Sequence, residues 1–100
     1  EIRTLDEFDL TPDILKIDVE GAEAAVVEGG MTTIESHLPV ILLEGDADQS
    51  ERLLTELGYR RHRFDPDRNR MVAGESGTLN TFLLRPGHYR LFAGMEIVDS

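Results

Sequence analysis

Hydrophobic and polar positions along the chain fall into short apolar runs that end in acids, separated by stretches of helical spacing. Residues 13–23, DILKIDVEGAE, begin with strand-prone Ile14, Leu15, Ile17 and Val19 and finish in Asp18, Glu20 and Glu23 around Gly21. A near-continuous apolar run of this kind suits a parallel strand covered on both faces, predicted here over residues 13–19. From Ala22 the spacing changes. Ala22, Ala25, Val26 and Gly29 follow the i, i+3, i+4, i+7 rule of a helix with one buried face. Gly29 and Gly30 interrupt that helix, and Met31, Ile34 and Leu38 resume it, so one broken helix or two short ones precede Pro39.

A second apolar run at residues 40–43 again ends in acids, Glu44 and Asp46, on either side of Gly45. Asp48 stands three residues before Glu51, the spacing of a capping box, and Leu53, Leu54 and Leu57 supply a buried helix side that Gly58 can end. Strand, helix, strand, helix calls for a parallel sheet with right-handed crossovers. The last third breaks the rhythm. Residues 59–64 are extended in character, DPDRN (65–69) is turn chemistry, GESG (74–77) is a loop, and residues 78–84 are again strand-like. With no crossover helix between them, these two strands are expected to pair antiparallel at the edge of the sheet. Residues 87–100 carry no clear pattern.

Composition narrows the classes of function. One hundred residues with 40% apolar content build one modest core, so a single domain over residues 1–100 is expected. Twenty Asp and Glu against ten Lys and Arg give a net charge of −10, which works against nucleic acid or an anionic membrane as partner. The chain has no cysteine, no apolar run near the ~20 residues of a membrane helix and no signal-peptide pattern, and a soluble, cytoplasmic setting is expected. The first Met is Met31, which suggests an excerpt from a longer protein.

The candidate chemistry lies where the apolar runs end. In open α/β sheets, ligands bind in the crevice outside the carboxyl ends of the strands. Asp18 and Glu20 end the first strand and Glu44 the second, about 4.8 Å away by ordinary strand spacing. Capping competes as a role, because carboxylates before helices also satisfy free N–H groups and meet the positive end of the helix dipole. Three such acids could hold a divalent cation, but no histidine supports a metal site, and none is assigned. Asp65, Asp67 and Asn69 imitate the start of a calcium loop, yet Arg70 stands where the loop needs glycine and Ser76 where it needs glutamate. Arg60, Arg61, Arg63, Arg68 and Arg70 form a basic segment best explained as a solvated face. His37, His62 and His88 have no ligand spacing.

TLD (4–6), LKIDVEGAE (15–23), the helix ending Glu28-Gly29 and PVILLE (39–44) together resemble the C-terminal half of the FkbM-type S-adenosylmethionine-dependent methyltransferases. The family commonly has a basic residue in place of Glu28 and an alanine in place of Gly30, both away from the acidic motif. The resemblance implies α/β architecture, as part of the class I methyltransferase (Rossmann-like) sheet. In that sheet two parallel strands with crossover helices are followed by a hairpin whose final strand inserts antiparallel. It implies the C-terminal portion of a methyltransferase domain that methylates a hydroxyl of a small molecule or glycan, with Asp18, Glu20 and Glu44 as catalytic candidates. Its cofactor is S-adenosylmethionine in the full-length enzyme. The glycine-rich turn and ribose-binding acid that such a cofactor needs are not found in these residues, so no tight binding and no activity are expected of this chain alone. The expected partners are the remainder of the domain and the acceptor, with self-association possible through an uncovered edge strand. The alternative from a different class is a non-catalytic α/β regulatory or self-association module.

Overall fold

A computed structural model describes residues 13–18, 21–44, 47–77 and 79–100. Its elements are β1 (Ile14–Ile17), α1 (Glu23–Glu28), α2 (Met31–His37), β2 (Val40–Glu44), α3 (Asp48–Leu54), β3 (Arg60–Asp65), β4 (Arg70–Ala73), β5 (Asn80–Leu84) and β6 (Glu96–Asp99). Two 3-10 segments, Thr55–Leu57 and Pro86–Phe92, complete the set. The strands form one mixed sheet in the order β1-β2-β5-β3-β4-β6. The protein is therefore α/β, as the alternation of periods implied.

β1 and β2 run parallel, while β5 lies antiparallel between β2 and β3. The expected antiparallel pair is present as β3 and β5, but it is not at the edge of the sheet. β5 fills an interior place, and β4 and β6, which the sequence did not reveal, extend the sheet beyond β3. β4 was hidden because it is four residues long and flanked by turn residues. β6 is half-exposed along its length, so it lacks the apolar alternation that marks a strand.

Gly29 and Gly30 split the first helical stretch into α1 and α2. The break closes with a short-range hydrogen bond from Gly30 N to Val27 O at 3.0 Å. The buried residue of α1 is Val27, whereas Ala25, assigned inward by spacing, is exposed. Only six residues long and ending at the glycine pair, α1 aligns its inner face with Gly30 and Ile34 of the next helix. α2 stops where Leu38 turns left-handed (φ 46°), and Pro39 prevents its resumption. Gly58, at φ 91°, closes the turn after α3, a conformation that costs a residue with a Cβ.

The expected Asp48–Glu51 capping box does not form. Ala47 is the cap residue of α3, without a side-chain bond, and Asp48 is already helical. Glu51 reaches instead across to β3, where its carboxylate accepts from the Arg61 backbone N–H at 2.6 Å. A tertiary partner has replaced the local one.

The core lies on the helical side of the sheet, where Ile17, Ile41, Leu43 and Leu83 meet Val27, Ile34 and Leu54. Each of these is at most 3% exposed. Tyr59 enters the same core and donates its hydroxyl to Pro39 O at 2.5 Å, tying the start of β3 to the entry of β2. The other face carries the strap Pro86–Phe92. His62 Nε2 accepts from the Tyr89 hydroxyl at 2.8 Å, and Phe82 meets Phe92 edge to face at 6.1 Å. His88 anchors the strap further, with Nδ1 accepting from Arg85 N and Nε2 donating to Leu38 O at 2.7 Å. Among the described residues, β1 is covered on one face only, since Ile14 is 69% exposed and Lys16 is exposed, in contrast to the two-sided burial expected from its composition.

Candidate active site

β1 and β2 are in parallel register from Ile14 opposite Val40 to Ile17 opposite Leu43. Asp18 follows directly after β1 and Glu44 ends β2, each one residue past that last pair. Glu44 is in turn opposite Asn80 of β5. The β3–β5 register ends at His62 opposite Phe82, and beyond it Phe64 and Asn80 line a groove between the two strands. Glu44 and Asn80 thus form one rung, with Asp18 and Phe64 at the same end of the sheet, and all four are exposed.

This rung is the carboxyl edge of β1, β2 and β3, because β5 runs opposite to them. Side chains alternate between faces along a strand. Leu43 and Ile17 point into the helical core, so Glu44 and its rung partner Asn80 project toward the face that carries the strap. Glu20 lies outside the described residues. Among the described residues, no group of three His, Asp or Glu side chains is placed to hold a metal ion.

Beside the rung, a groove of about 520 Å³ opens between the end of β3 and the start of β5, lined by Arg63, Phe64, Pro66, Leu79, Asn80 and Phe82 among others. Sequence reasoning missed it. Asn80 was the available signal, a polar residue at the entry to the apolar run TFLL, but only the strand register shows that it neighbours Glu44. A second cavity, about 290 Å³, lies between α1 and α3 at Ala24, Glu28, Gln49, Arg52 and Leu53, among the helices rather than at the rung.

The basic segment is neutralised along its length. Arg60 pairs with Asp99, Arg61 with Asp48 and Glu51, and Arg63 with Glu75. Arg68 and Arg70 both face Asp65 at 3.5 Å. The charge balance matches the expectation, but Arg61, Arg63 and Arg70 are only 22%, 33% and 29% exposed and do not form a solvated face. Asp65 also accepts from Asp67 N at 3.1 Å and Arg68 N at 3.4 Å, forming the turn in which Asn69 adopts φ 49°. Burial alone would raise the Asp65 pKa, but these N–H groups and the Arg68 guanidinium outweigh it and hold the carboxyl below its ordinary value. The apparent calcium-loop acids therefore build a hairpin.

His62 is fully buried, and burial pulls its pKa below the ordinary value. Its Nδ1–H donates to Arg60 O at 2.8 Å, which leaves Nε2 free of a proton to accept from Tyr89. The ring is a neutral structural link between sheet and strap.

The protein is α/β with a mixed six-stranded sheet. Residues 1–61 match the family model of the methyltransferase FkbM domain, more than half of the chain, and the chain belongs to that methyltransferase family. The resemblance carried by TLD, LKIDVEGAE and PVILLE is borne out. Comparisons with curated proteins and with solved structures gave no match. The family match spans β1 to α3 and ends at Arg61, so the groove residues all lie beyond it. Among the described residues, no helix is long and apolar enough to cross a membrane.

Proposed function

We propose that this chain is the C-terminal part of the catalytic domain of an S-adenosylmethionine-dependent O-methyltransferase acting on a hydroxyl of a small molecule or glycan. The observation that supports this reading is the parallel β1–β2 register within the family match, whose last pair, Ile17 opposite Leu43, immediately precedes Asp18 and Glu44. The order β1-β2-β5-β3, with β5 antiparallel among strands that otherwise run one way, fits the closing half of a class I methyltransferase sheet.

The residues present fit one side of the cofactor. Asp18 and Glu44 are exposed carboxylates on adjacent strands, suited to accept hydrogen bonds from ribose hydroxyls or an ammonium group. The described residues include no glycine-rich strand-to-helix turn with several N–H groups to receive its carboxylate; the β1–α1 connection contains only Gly21. When bound, S-adenosylmethionine supplies a methyl group on a positively charged sulfur that departs as a neutral thioether when an acceptor oxygen takes the carbon. The chain's own acids orient the acceptor hydroxyl and take its proton. Glu20 is the proposed proton acceptor, with Asp18 closest to the reacting centre and Glu44 binding from the neighbouring strand. β1 pairs on one side only among the described residues. Its open edge is the proposed seam to the rest of the domain, and a second copy could occupy it when that part is missing.

Methyl transfer by the full-length protein tests the reading. Glu20→Gln and Asp18→Asn should each lower kcat about 100-fold or more, the usual contribution of a positioned acid or base. Glu44→Gln should act mainly on KM. The 100-residue chain alone should neither bind S-adenosylmethionine tightly by calorimetry nor transfer methyl groups. Tight binding by the chain alone, or full activity in Asp18→Asn and Glu20→Gln together, would overturn the proposal.

A further inference from the structure

The groove between β3 and β5 includes Asn80, which stands opposite Glu44, and its other lining is mostly apolar. Phe82 forms its floor, steadied by the edge-to-face contact with Phe92. Leu79, 72% exposed, and Pro66 form its mouth. Arg63, the cation in the lining, already donates through Nε to Glu75 at 2.8 Å, so its charge is matched without a ligand. A chain of net charge −10 also repels an anionic occupant.

The wall is built to hold its shape. Gly77 N donates to the Thr81 hydroxyl at 2.9 Å, and the Gly77 backbone passes so close to Asn80 O that a Cβ would collide with it. Glycine is required at this position by that approach. Arg61 NH1 holds the same loop through Ser76 at 3.2 Å.

We propose that this groove seats the ring of a neutral aromatic acceptor, with the Asn80 amide orienting the acceptor's hydroxyl toward Glu44. The inference rests on the methyltransferase reading and names the substrate class. Phe64 and Phe82 offer ring faces and edges, which favour a flat aromatic body. Asn80 can both donate to and accept from a hydroxyl. Its Cβ lies about 5 Å from that of Glu44, the distance between directly opposed residues in a strand pair. The volume of about 520 Å³ suits a one- or two-ring molecule. The acids lie within the family match over residues 1–61, and the groove residues lie beyond it.

The probe is 2-naphthol, with methyl α-glucoside as the carbohydrate counterpart, each titrated into the ¹⁵N-labelled full-length protein. Saturable shifts at the Asn80 side-chain amide and at the Leu79 and Phe82 backbone are expected with naphthol. Leu79→Asp, at an exposed position that does not support the fold, should weaken binding about tenfold or more by placing a charge at the mouth. Absent shifts at these residues, shifts with the glucoside instead, or unchanged affinity in Leu79→Asp would overturn the groove assignment. Methyl transfer to 2-naphthol is a separate arm. Groove binding without any methyl transfer to a hydroxyl acceptor keeps the groove and overturns the methyltransferase reading. Transfer with a KM unchanged by Leu79→Asp keeps the enzyme and overturns the groove.

Discussion

Glu51 offers the sharpest stability test, because its partner lies ten residues away and on another element. Its Oε2 accepts from the Arg61 N–H at 2.6 Å, while Oε1 accepts from Arg61 Nε at 3.0 Å and pairs with NH2 at 2.9 Å. Both side chains are 22% exposed, so water screens the pair only partly. These contacts raise the Arg61 pKa, the hydrogen bond to Glu51 first. Glu51→Ala strands the Arg61 backbone donor and removes the charged pair. Leaving a donor unsatisfied costs about 1–3 kcal/mol and a hydrogen bond to a charged group contributes about 1.5–3 kcal/mol, so a total near 2–3 kcal/mol is expected after partial solvation.

At about 4–8 °C per kcal/mol for a chain of this size, the melting point should fall by roughly 10–20 °C. Arg61→Ala keeps the backbone N–H and loses only the side-chain part, about 1–2 kcal/mol. Urea denaturation of both single variants and the double variant isolates the side-chain coupling, expected near 1–2 kcal/mol. If Glu51 served only to cap its own helix, Glu51→Ala would cost ~1 kcal/mol or less and would be additive with Arg61→Ala. A coupling below about 0.5 kcal/mol would refute the docking of α3 onto β3 by this pair.

Tyr59→Phe should lower stability by about 1–2 kcal/mol in the same urea assay, because the buried Pro39 carbonyl loses its donor while ring packing is kept. Stability should also decline as the solution is acidified. The folded pKa of His62 lies below its unfolded value of 6.5, chiefly through burial, so the unfolded chain binds the extra proton first. The contribution is complete above pH 6.5 and is lost as pH falls toward the folded pKa, and the urea midpoint measured from pH 7.5 to 5 should show it. His62→Gln should flatten that slope, whereas an unchanged slope would show that His62 is not the group responsible.

Local chemistry made much of the first half legible. Ile14, Leu15 and Ile17, then Ile41 to Leu43, have the strand preference and apolar continuity that a buried sheet needs, and the glycine pair, poor helix formers, marks the break between α1 and α2. Glu51 and Ala25 were misassigned because spacing along one segment cannot report a partner on another. Arg61 on β3 engages Glu51, and Val27 rather than Ala25 faces inward because α1 packs against α2 and α3, with Val27 in the cluster of Ile34 and Leu54.

The sequence by itself determined the α/β alternation, the acids at strand ends and the family, all properties of short contiguous stretches. Tertiary structure alone decided the place of β5 between β2 and β3, the presence of β4 and β6, and the pairing of Glu44 with Asn80. Strand register is set by cross-strand hydrogen bonds between residues far apart in the chain, and slipping it by one position turns every side chain to the other face. That is why Asn80, thirty-six residues after Glu44, becomes its neighbour only in the folded sheet.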